Sequence, residues 1–384
     1  MRIALISDCF APRLGGIESQ VQDLALQLQK AGHEVIVVTA TPDQKFAGRK
    51  AEFISGIKVL RLAIPLPGSL PVNPFAGPAL LQVMRNADIV HIHTGVISPF
   101  AQHAALLAAK HRIPSTITWH CMLNHMHWGF RIFRVMQWVA RRGVAMNTVS
   151  ELMARQIQSV LGDSGEVSVL YNGIDLAPWR EVAALRRKLK NELTENEFVA
   201  PIRIVASRRL APRKRNIELI KIAVEAQKLA GVPVELTIYG EGPERQKLVG
   251  LCKKLAVDWV KLPGRATRKE LAEAYKNADI YFSTALMESF GIATLEARAA
   301  GVPIVAPANT GVDDFVQHHR HGLLGKNDRE LAQFLAQLIT DSQLRLALSQ
   351  NSENELPTQD WSTVLSDTLA EYERAIKLNL QHLS

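Results

Sequence analysis

The stretch ESFGIATLE, from Glu288 to Glu296, sets two carboxylates eight positions apart around a glycine, with no other ionisable residue between them. The run before it, ADIYFSTA, reads as a strand, and Ile292 to Ala300 holds good helix formers stopped by Gly301. Glu288 then falls in a loop, and Ser289, Phe290, Gly291 and Ile292 fall at or near a helix start. Such a start presents unpaired N–H groups and a partial positive charge, which suits a phosphate. Glu296 sits about one turn inside the helix. Carboxylates accept hydrogen bonds from sugar hydroxyls, so acids on either side of an anion-binding turn suggest a ligand built as hydroxyls, phosphates, hydroxyls. That is a nucleotide sugar. Two solvated surface glutamates are the plainer alternative.

A second constellation is SRRLAPRKR, which gathers Arg208, Arg209, Arg213, Lys214 and Arg215 after the strand IRIVAS. A basic surface loop would look the same, but these cations follow the carboxyl end of a strand, where they could neutralise a diphosphate. Arg209 and Lys214 flank a turn that contains Pro212. In PRLGGIES, Gly15 and Gly16 permit close backbone approach to a ligand immediately before a helix; a plain tight turn would use them equally well. The spacing is not G-x-G-x-x-G, so the dinucleotide fingerprint is missing. His120 ends the strand TITWH, either as a structural residue or as a contact to a transferred group. His91 and His93 in VHIHT are weaker candidates. His318, His319 and His321 lack metal-site spacing and read as loop residues. The chain contains no D-x-D pair, so no carboxylate pair for a divalent cation is evident, and fixed cations with a helix start could serve instead. The segment WHCMLNHMHWGFRIFRVMQWVARR mixes Trp128, Phe130, Phe133 and Trp138 with Arg131, Arg134, Arg141 and Arg142. It reads either as a membrane-interface segment or as a core helix with snorkelling arginines.

Two α/β patterns in succession must position these residues. RIALIS, a helix with Ile17, Val21, Leu24, Ala25 and Leu28 at helical spacing, Gly32 as its stop, and EVIVVTA form a βαβ unit with parallel strands. ADIVHIHT and PSTITWH extend the same sheet. The pattern restarts at residue 202 with IRIVASRRL, a helix over about 215–230, VELTIYGEGPE, ADIYFSTA and VPIVAPA. The charged, strand-poor segment between them places a boundary near 175–200, giving domains 1–180 and 181–360, and a last helix begins around Trp361. The fold class is α/β, with two doubly wound domains facing a central cleft. In open parallel sheets, ligands gather outside the carboxyl ends of the strands.

The chain of 384 residues has 47% hydrophobic and 21% charged residues, a globular composition with no apolar run long enough for a spanning helix. Its N-terminus makes a poor secretory signal, and Cys9, Cys121 and Cys252 fit neither a disulfide framework nor a zinc site, which suits reduced thiols in a cytoplasm. Of the net charge of +8, residues 1–180 carry the larger part, with 17 Lys+Arg against 11 Asp+Glu. That excess suits an anionic partner or a solvated basic face.

Together these motifs resemble the GT-B retaining glycosyltransferases of family 4, which include phosphatidylinositol mannosyltransferases. FAPRLGGIES is similar to the family's first glycine loop, TWH to its first-domain histidine, YNGID (171–175) to its domain-junction turn, SRRLAPRKR to its R-x4-K motif, YGEGPE to its second-domain loop, and ESFGIATLE to its E-x7-E signature. The resemblance implies a GT-B fold of two Rossmann-like domains, acceptor-binding at 1–180 and donor-binding at 181–360, with helix 361–384 crossing back onto the first. It implies Gly15, Gly16 and Gly240 as donor contacts, His120 near the transferred sugar, and Arg209 and Lys214 on the diphosphate. It further implies Glu288 on the donor sugar, Ser289, Phe290, Gly291 and Ile292 around it, and Glu296 on the ribose. Arg208 departs from the family, which has glycine there.

The expected activity is transfer of a hexose, with mannose from GDP-mannose slightly favoured, to a lipid or glycan acceptor at the cytoplasmic membrane face. UDP-glucose or UDP-N-acetylglucosamine donors, or a nucleotide-sugar epimerase, are the alternatives. No obligatory metal or other cofactor and no nucleic acid are expected, and peripheral association with an anionic membrane is.

Overall fold

The computed structural model describes residues 1–13, 15–43, 48–64, 70–123, 134–192 and 200–381. Trp128, Phe130, Arg131 and Phe133 of the aromatic–basic segment lie outside them. The chain divides into two compact units, Met1–Gly173 with Trp361–Ser384, and Ile174–Asp360. Relative to a boundary at 180, the helix Ala177–Glu192 belongs wholly to the second unit, because Trp179 is buried there against Tyr275 with ring centroids 5.5 Å apart.

The first unit is built on strands β1 (Arg2–Ser7), β2 (Glu34–Thr39), β3 (Gly48–Ile54), β4 (Ile57–Ala63), β5 (Ile89–Thr94), β6 (Ser115–Trp119), β7 (Ala145–Thr148) and β8 (Val167–Val169). They form one sheet in the order β3-β4-β2-β1-β5-β6-β7-β8, parallel throughout except for the antiparallel β3–β4 edge. β1 is buried at all but its first residue, as a central strand covered on both faces must be. The helix Gly16–Lys30 lays Val21, Leu24, Ala25 and Leu28 into this core. It ends in a Schellman motif, with the His33 N–H donating to Leu28 O and the Gly32 N–H to Gln29 O.

The last helix, Trp361–Gln381, returns to this sheet. Its buried residues Trp361, Val364, Thr368, Glu371, Tyr372, Ala375 and Asn379 form one stripe, with steps of three or four positions apart from the neighbours Glu371 and Tyr372. Gly173 makes the close approach possible, since a Cβ there would stand 2.6 Å from the Trp361 ring.

The second unit carries β9 (Ile202–Ser207), β10 (Val234–Tyr239), β11 (Val260–Gly264), β12 (Ile280–Phe282), β13 (Ile304–Pro307) and β14 (Gly322–Gly325) in a wholly parallel sheet of order β11-β10-β9-β12-β13-β14. From β9 the chain steps first to β10 on one side and later to β12 on the other. The topological switch point therefore lies between the carboxyl ends of β9 and β12, where open α/β sheets place their ligands. In the first unit the corresponding reversal lies between β1 and β5.

Among the described residues no helix is long and apolar enough to cross a membrane, and Cys9, Cys121 and Cys252 are free thiols.

Candidate active site

The switch point of the second unit brings together the basic loop after β9 and the carboxylate loop after β12. Lys214 Nζ donates to Glu288 Oε2 at 2.5 Å, and each side chain is about one-fifth exposed (20% and 19%). Arg209, the other cation of the R-x4-K pair, is exposed, and it has no ion-pair partner among the described residues. The two cations are thus placed differently: one held beside a carboxylate, the other presented outward.

Hydrogen bonds from four side chains hold the basic loop. Arg208 Nη1 donates to Lys214 O at 2.9 Å and to Thr284 Oγ1 at 3.0 Å, and its Nη2 reaches Phe282 O at 3.4 Å. The Thr284 hydroxyl in turn donates to Arg215 O at 3.0 Å. Arg215 itself adopts a left-handed backbone (φ 54°) and grips Asp328 with both terminal nitrogens, at 2.9 and 2.7 Å. Asn216 Nδ2 donates to Ala211 O at 3.1 Å and to the buried Glu244 at 2.9 Å.

Gly240 serves this loop from below. Its φ is +142°, and a Cβ there would overlap the Arg208 carbonyl oxygen, so only glycine lets the 240–242 turn pack under residues 208–210. Backbone hydrogen bonds run across the same seam, from Arg208 N to Tyr239 O and from Leu210 N to Glu241 O, both at 2.9 Å.

Beyond Glu288, Gly291 (φ +98°) turns the chain into the helix Ile292–Ala299, whose first-turn N–H groups have no acceptor within the helix. The Gly311 N–H donates to Glu288 O at 2.8 Å and fixes the loop from the β13 side. Glu296 is buried, 8% exposed, and so is no solvated surface acid. Tyr281 lies among these charges. Burial pushes its phenol up to about 12, with Arg208 opposing and Glu288 and Glu296 adding to the rise.

In the first unit His120 follows β6 and is not alone. His120 Nε2 lies 3.0 Å from His93 Nδ1, leaving Nδ1 as its other ring nitrogen. His93 stacks on His91 at 4.1 Å between centroids. Spacing of two along β5 puts both rings on one face of the sheet, a signal already present in VHIHT.

The polarity of the adjoining network follows from its anionic end. Glu371, paired with Arg374 at 2.7 Å, can only accept, and it accepts a hydrogen bond from the Thr116 hydroxyl at 2.7 Å. Asn147 Nδ2 therefore donates to Thr116 Oγ1, Thr118 donates to Asn147 Oδ1, and Thr118 accepts from His91 Nε2 at 2.6 Å. Neutral His91 then accepts at Nδ1 from the Tyr372 hydroxyl, 2.9 Å away. Burial holds His120 down to about 4 and His91 to about 3, and His93 lies well below the ordinary histidine value. A small cavity of about 20 Å³ adjoins these rings, room for one water, bounded also by Gln20, Thr118, Asn172 and Trp361.

Gly15 caps the first helix in an extended conformation, and the Glu18 carboxylate folds against it. Gly16 is open, with nothing within 4 Å of where a Cβ would stand. Sequence reasoning missed Thr284 and Asp328, whose types carry no distinctive signal. Among the described residues no cluster of His, Cys, Asp and Glu has the arrangement to hold a metal ion.

Parallel sheets in two Rossmann-like domains, with the basic and acidic loops meeting at a switch point, define a GT-B glycosyltransferase. Residues 14–178 match the model described as Glycosyltransferase Family 4 and residues 189–355 the model described as Glycosyl transferases group 1. The chain belongs to glycosyltransferase family 4, and it is an enzyme acting with a nucleotide-sugar donor.

It is similar to the alpha-monoglucosyldiacylglycerol synthase of Acholeplasma laidlawii, at 26% identity over 92% of each chain. It is also similar to the GDP-mannose-dependent alpha-(1-6)-phosphatidylinositol monomannoside mannosyltransferase of Mycobacterium tuberculosis, at 27% identity over 96% of each. The crystal structure of Anabaena HepE in complex with UDP shares the fold, with a TM-score of 0.72 at 20% identity, covering 96% of this chain and 100% of that one.

Proposed function

We propose that the protein transfers a hexose, with retention of anomeric configuration, from a nucleotide sugar to a lipid or glycan acceptor at the cytoplasmic face of a membrane, with GDP-mannose as the favoured donor. The observation that carries this reading is the 2.5 Å contact of Lys214 with Glu288, in the loop that leads into the helix carrying the buried Glu296. Two oppositely charged groups side by side suit a ligand that joins a diphosphate to a sugar. Lys214 and Arg209 neutralise the diphosphate and stabilise its charge as it leaves, Glu288 accepts from hydroxyls of the transferred sugar, and Glu296 accepts from the ribose. Ser289 to Ile292 bring the helix start to the phosphates, and Gly15 and Gly16 let the first-domain loop approach them. His120, neutral at physiological pH, is assigned to the transferred sugar. The departing phosphate takes the acceptor hydroxyl's proton on the face that it leaves, so no separate nucleophile is required. No obligatory metal is assigned, since the diphosphate's charge is met by fixed cations.

Both relatives are named for glycolipid synthesis, which supports a lipid acceptor, and the mycobacterial name supports GDP-mannose. The Acholeplasma name supports glucose as the second reading. A thermal-shift panel of GDP- and UDP-sugars tests the donor, because a ligand that binds only the native state raises the melting temperature. GDP-mannose should give the largest shift. A larger shift with UDP-glucose would transfer the assignment to glucose, and no shift with any nucleotide sugar would overturn it.

A further inference from the structure

The Arg208 side chain turns back from the basic loop toward the segment after β12. Its guanidinium joins two segments, reaching the Lys214 carbonyl on one side and the Thr284 hydroxyl and Phe282 carbonyl on the other. Its Nε is buried without a partner. Among the described residues no carboxylate lies within ion-pair distance of it, in contrast to Lys214 on Glu288 and Arg215 on Asp328. A partly buried cation whose direct contacts are carbonyl and hydroxyl dipoles is costly, and an anion placed nearby offsets that cost. Burial accordingly lowers its pKa, with Tyr281 and then Glu288 opposing.

The Thr284 hydroxyl links the two flanking arginines. It accepts from Arg208 Nη1 and donates to Arg215 O, so it fixes the backbone on both sides of the Lys214–Arg215 peptide together with the Arg208–Lys214 bond. A lysine side chain has four rotatable carbons and little directional preference of its own. Its ammonium can be placed reproducibly only if its backbone is held, and the Lys214 carbonyl is held by Arg208.

We infer that Arg208 is a positioning residue for Lys214 and a third fixed positive charge, with Arg209 and Lys214, at the site that takes the donor's diphosphate. The inference rests on the donor-site reading above and adds to it a residue outside the R-x4-K pair. The charge and the tie are separable by substitution. Arg208→Gln removes the charge, Arg208→Lys keeps it without the fork, and Thr284→Val keeps every charge while deleting the link, which Thr284→Ser restores.

The test is calorimetric binding of GDP and UDP, with guanosine and uridine as uncharged controls, together with kcat and KM for the nucleotide sugar that the enzyme turns over. Arg208→Gln should weaken binding of the preferred diphosphate by about tenfold, the size of one nearby positive charge removed in a partly screened site, and leave nucleoside binding within about twofold. Arg208→Lys should fall between. Thr284→Val should lower kcat by about tenfold with KM changed less, and Thr284→Ser should recover most of it. Unchanged diphosphate affinity in folded Arg208→Gln, or a Thr284→Val enzyme with wild-type kcat, would overturn the inference. If Arg208→Gln does not fold, the Thr284 pair decides. Lys214→Ala in the same series separates the two levels. Loss there with no effect at Arg208 or Thr284 sinks only the positioning role, whereas wild-type behaviour of Lys214→Ala sinks the donor site itself.

Discussion

Lys214 Nζ lies 2.5 Å from Glu288 Oε2, joining the loop after β9 to the loop after β12 across 74 residues of sequence. The contact sets a cation and an anion side by side at the switch point, each enclosed enough that water screens it only partly. Lys214→Ala and Glu288→Ala should each cut turnover by about 100-fold or more, the loss expected for a transition-state stabiliser. Both variants should keep a wild-type circular dichroism spectrum. Near-normal turnover in both purified proteins would remove these residues from the reaction.

Glu296 is assigned to the ribose, remote from the bond that breaks. Contacts of that kind are made equally in ground and transition states, so their loss raises KM more than it lowers kcat. Glu296→Gln should raise the donor KM by about tenfold with kcat reduced by less than about threefold. A steep fall in kcat at constant KM would place Glu296 at the reacting centre instead.

Gly240 offers a contrast between fold and chemistry. A Cβ there would collide with the Arg208 carbonyl and would adopt a φ of +142° that side chains avoid. Gly240→Ala should therefore lower the melting temperature and the activity together, while Lys214→Ala lowers only activity. A Gly240→Ala protein with wild-type Tm and selectively weakened donor binding would show that the glycine acts at the ligand rather than under the loop.

How much of this was legible beforehand depended on distance along the chain. The βαβ opening and the last helix showed themselves through period and glycine stops. The two motif loops did so through residue type. The antiparallel β3 is an edge strand with alternate exposure, β11 includes Pro263, and β7, β8 and β14 are four residues or fewer, so none carries a long apolar run. The partnership of His91 with Tyr372 spans 281 residues and depends on how the final helix lands on the sheet. Local pattern contains no information about such a landing. The same holds for Thr284, an ordinary threonine until the basic loop folds over it.

The buried histidines make an acid-side prediction. With folded values near 4 and 3 for His120 and His91, and His93 lower still than ordinary, the folded state keeps them neutral where the unfolded chain protonates them. Their stabilising contribution is complete above about pH 6.5 and is lost as pH falls toward the folded values. Asp8 acts oppositely. Burial raises its carboxyl to about 6, so between about 4 and 6 the folded state binds the extra proton. Three groups outweigh one, and Tm should drop by several degrees between pH 6.5 and 4. His91→Gln, which does not titrate, should flatten that slope. An unchanged slope in the variant would exclude His91 as its source.

The central claim is that the β9–β12 switch point grips a diphosphate through Lys214 and Arg209 while Glu288 and Glu296 hold the sugars at either end. The most direct measurement is a crystal structure with GDP-mannose or UDP-glucose bound. Phosphate oxygens should lie within hydrogen-bond distance of Lys214 Nζ and the Arg209 guanidinium, with ribose hydroxyls on Glu296. A nucleotide sugar bound away from that switch point, with Lys214 still closed on Glu288 and Arg209 pointing into solvent, would contradict it.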